Sequence, residues 1–265
     1  YTYTGRAILT DTSDTWIRRA DVPHPRSYGA AGCVGGKLYF LGGGGYGEQE
    51  NEQYDPAGDS WEVKAPLPLD KTNHEAVTLN GLLFVVGGAQ NTATFAYDPT
   101  TDSWSTKAPL PEIRESPAAV AVNDKIYVIG GRDDTGSNVA TNLEYDPSTD
   151  TWTAKAPAPV ATHAKPAAVV DGLVYYFPAD RVLSYDPVGD SWSEVADAPS
   201  SYSQGFAAAL SDSILIIQAF PGNQATLQYT PGDDQWRRRT PLGIDSTKLS
   251  GCMIGDGLFA VGGFP

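Results

Sequence analysis

Residues 97–104 read Tyr-Asp-Pro-Thr-Thr-Asp-Ser-Trp, and this phrase recurs along the whole chain. Close copies occupy residues 54–61, 145–152 and 185–192, and weaker copies occupy 229–236 and 9–16. The six tryptophans that end these phrases are separated by 45, 43, 48, 40 and 44 residues. Self-similarity at such a period is typical of a repeat architecture.

Each repeat continues in the same order after its tryptophan. A proline-rich exit is followed by a run of small residues, a tight turn and an apolar run that ends in two glycines, as over residues 118–131. The 28 glycines and 20 prolines are too frequent for helices of useful length. We therefore predict four short strands per repeat, the small residues forming an innermost strand where sheets crowd round an axis. Four strands in a repeat of this length are typical of a β-propeller blade.

The glycine pair after an apolar strand, followed by a Tyr-Asp-Pro turn and then a tryptophan, resembles the Kelch repeat. The pairs lie at 42–43, 87–88, 130–131 and 262–263, whereas two repeats have Pro178-Ala179 and Gln218-Ala219 instead. The resemblance covers essentially the whole chain; it is specific for the fold and says little about activity. The WD40 repeat, the nearest alternative, would show Trp-Asp pairs, and this sequence has none.

We accordingly expect an all-β, six-bladed β-propeller of four-stranded antiparallel blades, forming one domain over residues 1–265. Five blades are predicted at about 21–64, 65–107, 108–155, 156–195 and 196–239. The sixth is a composite of residues 240–265 and 1–20, so that both termini close the ring and no sheet edge is left free there.

The composition restricts the partners. A formal net charge of -14 argues against binding a phosphate backbone over a broad surface, and no apolar run approaches the length of a membrane helix. We expect a monomer that binds neither nucleic acid nor a membrane. Because the sequence starts without a methionine or a signal sequence, we expect a mature chain or an excised domain, and the compartment stays open.

The two cysteines are too few for a disulfide scaffold. Cys33 and Cys252 are predicted in inner strands of adjacent blades, but one residue out of register. Their side chains should then face opposite ways, which is incompatible with the geometry of a disulfide. We expect two buried free cysteines that pack as small hydrophobes.

The predicted strand order sorts the loops onto two faces. The loops before each inner strand (such as residues 24–28 and 112–116) and the loops after each glycine pair surround one end of the central channel, which we call the upper mouth. The tight hairpins and the Asp-Pro turns lie on the lower face and contain 12 of the 23 aspartates. The upper mouth is therefore comparatively cationic, and a concave cationic site in an acidic protein favours a small or extended anion.

Candidate ligand-binding residues come mainly from two registers of these upper loops. Arg26, Lys71 and Arg114 share the first register, and we expect at least two of them to contact a ligand; the alternative is that each caps the channel structurally. As a surface residue, Arg114 should be replaceable by alanine without loss of the fold. The full candidate set is Arg26, Tyr28, Lys71, Asn73, His74, Arg114, Ser116, Arg132, His163, Lys165, Tyr202, Gln204 and Lys248.

Other chemical motifs are weak. The three histidines, His24, His74 and His163, belong to three different blades, and no carboxylate is placed to complete a metal site, so we expect neither a metal nor a cofactor. No Gly-x-Ser-x-Gly, P-loop or Cys-x-x-Cys motif occurs. The repeats that lose the glycine pair gain aromatic residues, which either form a stacking wall for a ligand or fill the core: Tyr175, Tyr176, Phe177, Phe206 and Phe220.

The resemblance implies two classes of function. Six-bladed Kelch domains are commonly similar to protein-interaction adaptors, among them the substrate arms of ubiquitin ligases, which capture acidic peptides with arginines at the mouth. The bacterial sialate mutarotase is also similar, and chemistry of that kind would need Glu75 beside His74 or Glu115 beside Arg114. Both pairs start strands whose alternate side chains should point away from the channel. We therefore favour a module that binds an anionic small molecule or an acidic peptide at the upper mouth, with a carbohydrate-active enzyme as the alternative and a pure repeat scaffold as a third reading.

Overall fold

The computed structural model describes residues 3–10, 13–45, 48–178, 180–199, 205–220, 223–243 and 247–264, and within these ranges the regular elements are all strands. In chain order the strands are β1 (Tyr3–Thr10), β2 (Ser13–Arg18), β3 (Arg26–Ser27), β4 (Ala30–Val34), β5 (Lys37–Leu41), β6 (Gly44–Gly45), β7 (Asn51–Asp55), β8 (Ser60–Val63), β9 (His74–Leu79), β10 (Leu82–Gly87), β11 (Thr94–Asp98), β12 (Ser103–Lys107) and β13 (Ala118–Val122). They continue with β14 (Lys125–Ile129), β15 (Asn142–Asp146), β16 (Thr151–Lys155), β17 (Ala167–Val170), β18 (Leu173–Tyr176), β19 (Arg181–Asp186), β20 (Ser191–Asp197), β21 (Phe206–Ala209), β22 (Ile214–Phe220), β23 (Asn223–Thr230), β24 (Gln235–Arg239), β25 (Thr247–Ile254) and β26 (Gly257–Phe264).

The described strands form six four-stranded antiparallel sheets and a short pairing of β3 with β6. Five of the sheets follow chain order: β4-β5-β7-β8, β9 to β12, β13 to β16, β17 to β20 and β21 to β24. The remaining sheet, β25-β26-β1-β2, joins the two ends of the chain. Each inner strand lies against the next in a closed circuit of β4, β9, β13, β17, β21 and β25, and β25 returns to β4. The protein is an all-β propeller with four-stranded antiparallel blades, as the repeat predicts.

The second aspartate of the repeated phrase connects neighbouring sheets through hydrogen bonds. The Asp102 carboxylate accepts the hydroxyl of Tyr97 at 2.6 Å and the backbone N–H of Ala65, in the connection from the preceding sheet, at 2.8 Å. The indole N–H of Trp104 donates to the carbonyl of the same Ala65 at 2.8 Å. The hydrogen bond from Tyr97 is the largest of the contributions that hold the pKa of Asp102 below its usual value. Equivalent bonds surround Asp59, Asp150 and Asp190. Four aspartates of the predicted acidic lower face therefore form hydrogen bonds that connect neighbouring sheets.

The glycine pairs are needed because the backbone of the next sheet passes close to them. Gly87 has a φ of +70°, and a Cβ there would lie 2.8 Å from the carbonyl oxygen of Arg114. The N–H of Gly88 donates to that same oxygen at 2.7 Å. A side chain at Gly87 would push the two sheets apart, and a Cβ at Gly88 would lie 3.0 Å from the carbonyl oxygen of Thr72 in its own repeat, which explains why glycine recurs at both positions.

The aromatic residues of the two sheets without a glycine pair fill the core. Tyr175, Tyr176, Phe177 and Phe206 are all buried. The Phe177 ring packs edge-on against Tyr229 and Trp236, with ring centroids 6.3 and 6.2 Å apart. Of the two alternatives left open by the sequence, core filling is observed for Tyr175, Tyr176 and Phe177, whereas Phe206 packs in the core and also lines the cavity at the upper mouth. The side chain of Phe220 lies outside the described part of the chain.

Cys33 on β4 and Cys252 on β25 form a disulfide, with Cα atoms 5.7 Å apart. The prediction of two free cysteines is wrong, and the reason lies in how blades meet. Neighbouring sheets face each other through opposite surfaces, so a register offset of one residue aims the two side chains at each other. Gly32 shows the alternation, because a Cβ there would meet Leu83 of the following sheet, whereas Cys33 points the other way. The bond joins the first complete sheet to the sheet shared by the termini, across 219 residues of sequence.

Candidate functional site

Arg26, Lys71 and Arg114 occupy equivalent places just before the inner strands, but their side chains do not open into the upper mouth. They are 3, 0 and 0 % exposed. The expectation that Arg114 is a surface residue is therefore wrong. Each of the three instead donates hydrogen bonds to nearby main chain and side chains, which is the structural capping role that the sequence left as an alternative.

The Arg26 guanidinium forms the densest of these networks. Nε donates to the carbonyl of Gly42 at 2.6 Å, and a terminal nitrogen donates to the carbonyl of Phe40 at 2.7 Å. The other terminal nitrogen donates to the carboxylate of Glu52, and both side chains of this ion pair are fully buried. Burial lowers the pKa of Arg26, and the bond to Glu52 opposes that shift.

Lys71 and Arg114 play the same part in the next two sheets. The Lys71 ammonium donates to the carbonyls of Gly87 and Ala93 at 2.8 and 2.6 Å, and its burial lowers the pKa to about 8. The Arg114 guanidinium donates to the carbonyl of Ile113 at 2.8 Å, to the hydroxyl of Thr141 at 2.7 Å and to the carboxylate of Glu112. These bonds hold the loop that leaves each glycine pair against the wall of the channel.

The second register, two residues further along, forms the rim of the upper mouth. The N–H of Asn73 donates to the carbonyl of Tyr28 at 2.9 Å, that of Ser116 to Asn73 at 2.8 Å and that of Ala164 to Ser116 at 2.8 Å. This chain of bonds runs from sheet to sheet around the axis. All the described rim residues have a positive φ, between 49° and 63°: Tyr28, Asn73, Ser116, Ala164 and Lys248. A positive φ is uncommon for residues other than glycine, and residues in such strained conformations cluster at functional sites.

Inside the rim lies a cavity of about 160 Å³. Its polar lining includes Tyr28, Asn73, Glu75, Ser116, Lys165 and Lys248. Below it, a second cavity of about 370 Å³ continues the channel. The small residues of the inner strands line this cavity, and the Cys33–Cys252 disulfide lies on its wall. The channel thus has a polar, charged end and a shaft of small, mostly apolar side chains.

The cationic character of the upper mouth comes from a different set of residues than Arg26, Lys71 and Arg114. Burial lowers the pKa of His163, and the nearby charges of Arg132, Lys248 and Lys165 lower it further. His163 is therefore neutral at pH 7, and the other three residues carry the positive charge. Burial also lowers the pKa of Lys165 and of Lys248, whose Nζ lies 5.1 Å from the centroid of the Tyr28 ring.

Two carboxylates face these cations. Glu75 lines the cavity, although strand parity predicted that it points away. Burial raises the pKa of Glu75 to about 8, and Lys248 partly opposes the shift. Glu115 accepts a hydrogen bond from the Asn73 amide at 3.1 Å. His74 is buried, with its pKa lowered to about 3, so it is neutral and supplies no charge to the site.

We expect Glu75 to make the stability of the protein depend on pH. Its pKa is about 8 when folded, above the ordinary 4.5 of a glutamate, so the folded state binds the extra proton between these values. The stability that protonation gives is present below pH 4.5 and is lost as the pH rises through 8. Each pH unit of difference corresponds to about 1.4 kcal/mol, and water in the open cavity reduces the total to roughly 2–3 kcal/mol. Urea unfolding of parent and Glu75→Gln at pH 5 and pH 9 measures it.

The glutamine variant should gain stability relative to the parent at pH 9 and show no such gain at pH 5. Asp98→Asn, on an exposed lower turn, is the matched control, because the pKa of Asp98 is lowered rather than raised. Equal pH profiles for the parent and Glu75→Gln would show that Glu75 titrates normally.

The sequence-predicted site residues therefore divide into three groups. Tyr28, Asn73, His74, Ser116, Lys165 and Lys248 border the cavity, with Arg132 and His163 beside them. Arg26, Lys71 and Arg114 lie buried in the wall. Tyr202 and Gln204 lie outside the described residues. In the described part of the chain, His24, His74 and His163 do not come together, no cluster of side chains suited to a metal is present, and no helix of a length and apolarity that would cross a membrane occurs.

Comparisons with known proteins agree with this architecture. The Kelch motif family matches residues 113–159. Over 83 residues, 31% of this chain, the sequence is 37% identical to Kelch-like protein 15 of Danio rerio and of Mus musculus, and 36% identical to the Homo sapiens protein of the same name. The matched stretch is 14% of the length of each of those relatives.

Among solved structures, one described as "Structure of YjhT" is similar over 92% of this chain and 95% of that chain, with a TM-score of 0.74. The sequence identity is 17%, so this likeness concerns the fold alone. The repeated phrase, the glycine pairs and the four-stranded blades define the class as a β-propeller of Kelch repeats. The chain therefore contains a Kelch motif over residues 113–159 and is similar to Kelch-repeat proteins.

Proposed function

We propose that this protein is a six-bladed Kelch propeller that works as a recognition module and binds an acidic peptide at its upper mouth. The blade number is supported by the six four-stranded sheets and by the closed circuit of their inner strands. The Kelch propeller fold suits protein recognition, because rigid blades present adaptable loops at the two ends of the channel.

The observation that carries the proposal is the convergence of Arg132, Lys165 and Lys248 at one end of the channel in a chain of net charge -14. Most of the remaining surface repels an anion, whereas this opening attracts one. Burial has partly removed water from the two ammonium groups, so a carboxylate that reaches them forms a charge-assisted hydrogen bond of the stronger kind.

The size of the cavity favours a side chain over a whole small molecule. Pockets for drug-sized ligands measure roughly 300–1,000 Å³, whereas the upper cavity holds about 160 Å³. One Asp or Glu side chain fits this space while the peptide that carries it lies across the rim. Tyr28, which is 41% exposed, then offers an aromatic surface to the neighbouring peptide residue.

We expect Lys165→Ala/Lys248→Ala to weaken binding of an acidic peptide by about 1.5–3 kcal/mol for each charge-assisted bond removed, or at least tenfold in affinity. A thermal-shift screen of acidic peptides and anionic sugars identifies the ligand, and titration calorimetry then compares the variants. Affinity of the parent should also fall with added salt, because charges in an open mouth are screened.

The matched control is Lys107→Ala/Lys125→Ala, which removes the same charge from the outer and lower surfaces. It should bind as the parent does. Equal affinity of the Lys165→Ala/Lys248→Ala variant for every acidic peptide that binds the parent would overturn the proposal.

One observation favours the second candidate, an enzyme acting on an anionic sugar. Glu75 lies in the cavity wall opposite Lys248, and a carboxyl with a pKa of about 8 is suited to general acid catalysis near neutral pH. Interconversion of sugar anomers by the parent, followed by nuclear magnetic resonance and lost in Glu75→Gln while sugar binding is retained, would favour the enzyme. Absence of any such interconversion leaves the recognition module as the function.

A further inference from the structure

Half of the ten arginines lie on two adjacent outer strands, far from the channel. They are Arg18 and Arg19, at the end of β2 and directly after it, and Arg237, Arg238 and Arg239 on β24. We call this group the arginine flank. In a chain of net charge -14, such a concentration of positive charge is the strongest local departure from the average.

The two strands belong to neighbouring sheets. The indole N–H of Trp16 on β2 donates to the carbonyl of Thr240, the residue after β24, at 3.0 Å. Trp16 and Arg18 alternate onto the same face of β2, so Arg18 points toward the sheet of β24. Trp236 on β24 points the other way, since it donates to Asp197 of the preceding sheet, and Arg237 therefore faces β2. Arg18 and Arg237 border one groove between the two sheets.

The central arginines of the flank are available for a partner. Arg237 and Arg238 are exposed, and their side chains form no hydrogen bond or ion pair with the described residues. Arg239 is buried and donates to the Gln228 side chain at 2.9 Å, which anchors the end of the strand. Arg18 pairs with Asp21 at 2.7 Å, and both of these side chains are exposed to solvent.

Repeat structure does not explain Arg237 and Arg238. The equivalent residues of β12 and β16 are Ser105-Thr106 and Thr153-Ala154, which are uncharged. In those blades one lysine per outer strand, Lys107 or Lys155, protects the edge against unwanted strand pairing. Arg239 occupies the same position on β24. The additional charges on β24 therefore require another reason.

We propose that β24 is the docking edge for an extended acidic segment of a partner protein, which adds to the β21–β24 sheet as a further strand. Among the described strands β24 pairs only with β23, so one row of its backbone N–H and C=O groups faces outward. Strand addition to such an edge supplies affinity through the main chain and specificity through side chains. Asp and Glu residues on both faces of the added strand meet Arg238 on one side and Arg237 with Arg18 on the other, and planar guanidinium groups bind carboxylates through paired hydrogen bonds. This surface is independent of the upper mouth.

The test uses a fluorescein-labelled peptide of alternating Thr and Val with three central Glu residues, and fluorescence anisotropy with the full chain. We expect saturable binding that Arg237→Ala/Arg238→Ala weakens tenfold or more. Ser105→Glu/Thr106→Glu changes the net charge by the same amount at the same positions of another blade and should leave binding unchanged. The same titration is repeated in the Lys165→Ala/Lys248→Ala background, where binding at the upper mouth is weakened; Arg237→Ala/Arg238→Ala should reduce affinity tenfold or more there too, so the two surfaces are read separately.

A second peptide carries N-methyl groups on alternate backbone amides, which block strand pairing and keep the charge. It should bind at least tenfold more weakly than the unmodified peptide. The proposal is overturned if the N-methylated peptide binds equally well, if Arg237→Ala/Arg238→Ala binds like the parent, or if no saturable binding occurs. Complete competition by a sulfated polysaccharide together with equal binding of both peptides would identify a general polyanion surface instead.

Discussion

Replacing both Cys33 and Cys252 with serine should lower the free energy of unfolding by about 5 kcal/mol. The disulfide closes a loop of 219 residues, so its loss greatly increases the conformational freedom of the unfolded chain. For a chain of this size the melting temperature should drop by roughly 10–20 °C. Differential scanning calorimetry of the parent and the double variant measures the effect.

The fold should nevertheless persist in the serine variant, because β1 pairs with β26 from Tyr3–Gly262 to Ile8–Gly257 and closes the same ring without a covalent bond. Circular dichroism at 20 °C should therefore match that of the parent. Treating the parent with dithiothreitol until a thiol assay counts two free cysteines provides the matched control. An unchanged melting temperature after full reduction would contradict the role assigned to the disulfide.

Arg26→Ala should destabilise the protein by about 3–5 kcal/mol, because it removes one partner of a buried ion pair. The completely buried Glu52 would lose its contact with the guanidinium and keep only the partly exposed His24 ring, 2.8 Å away, and the carbonyls of Gly42 and Phe40 would lose these donors. Urea unfolding at pH 7 is the appropriate measurement. Arg181→Ala is the control, since that arginine pairs with Asp180 and Glu194 at the surface and its loss should cost less than about 1 kcal/mol.

A double variant separates the charge from the packing. Arg26→Ala/Glu52→Gln removes both charges and should recover part of the stability lost in Arg26→Ala alone. If Arg26→Ala were as stable as the parent and lost only ligand affinity, Arg26 would be a binding residue and not a cap of the channel.

The architecture was accessible from the sequence because each blade repeats the same physical solution. A glycine pair is needed wherever the next backbone passes close, as at Gly87, and an aspartate recurs wherever a turn is fastened to the preceding sheet, as at Asp102. Such requirements leave the same residues at the same spacing in each repeat. Periodicity alone therefore located the strands and the loops of the upper mouth.

The direction of individual side chains was harder to infer. Arg26 precedes the inner strand β4 and Lys248 lies at the start of the inner strand β25, yet Arg26 turns into the wall and Lys248 borders the cavity. The register of a repeat predicts where a Cα atom lies but not where its side chain points. Glu52, the buried partner of Arg26, lies on β7, so it leaves no signal in the loop sequence around Arg26. The orientation of Glu75 and the disulfide were not predicted for a related reason. The first depends on how the inner strands face each other across the axis, and the second depends on how two neighbouring blades face each other.

The central claim is that a carboxylate enters the upper mouth. It is tested most directly by a crystal structure of the protein with the tightest-binding acidic peptide from the screen. The account predicts one Asp or Glu side chain of the peptide inside the cavity, with its carboxylate within hydrogen-bonding distance of Lys165 or Lys248. A bound peptide whose carboxylates all lie elsewhere, with both lysines unoccupied, would contradict it.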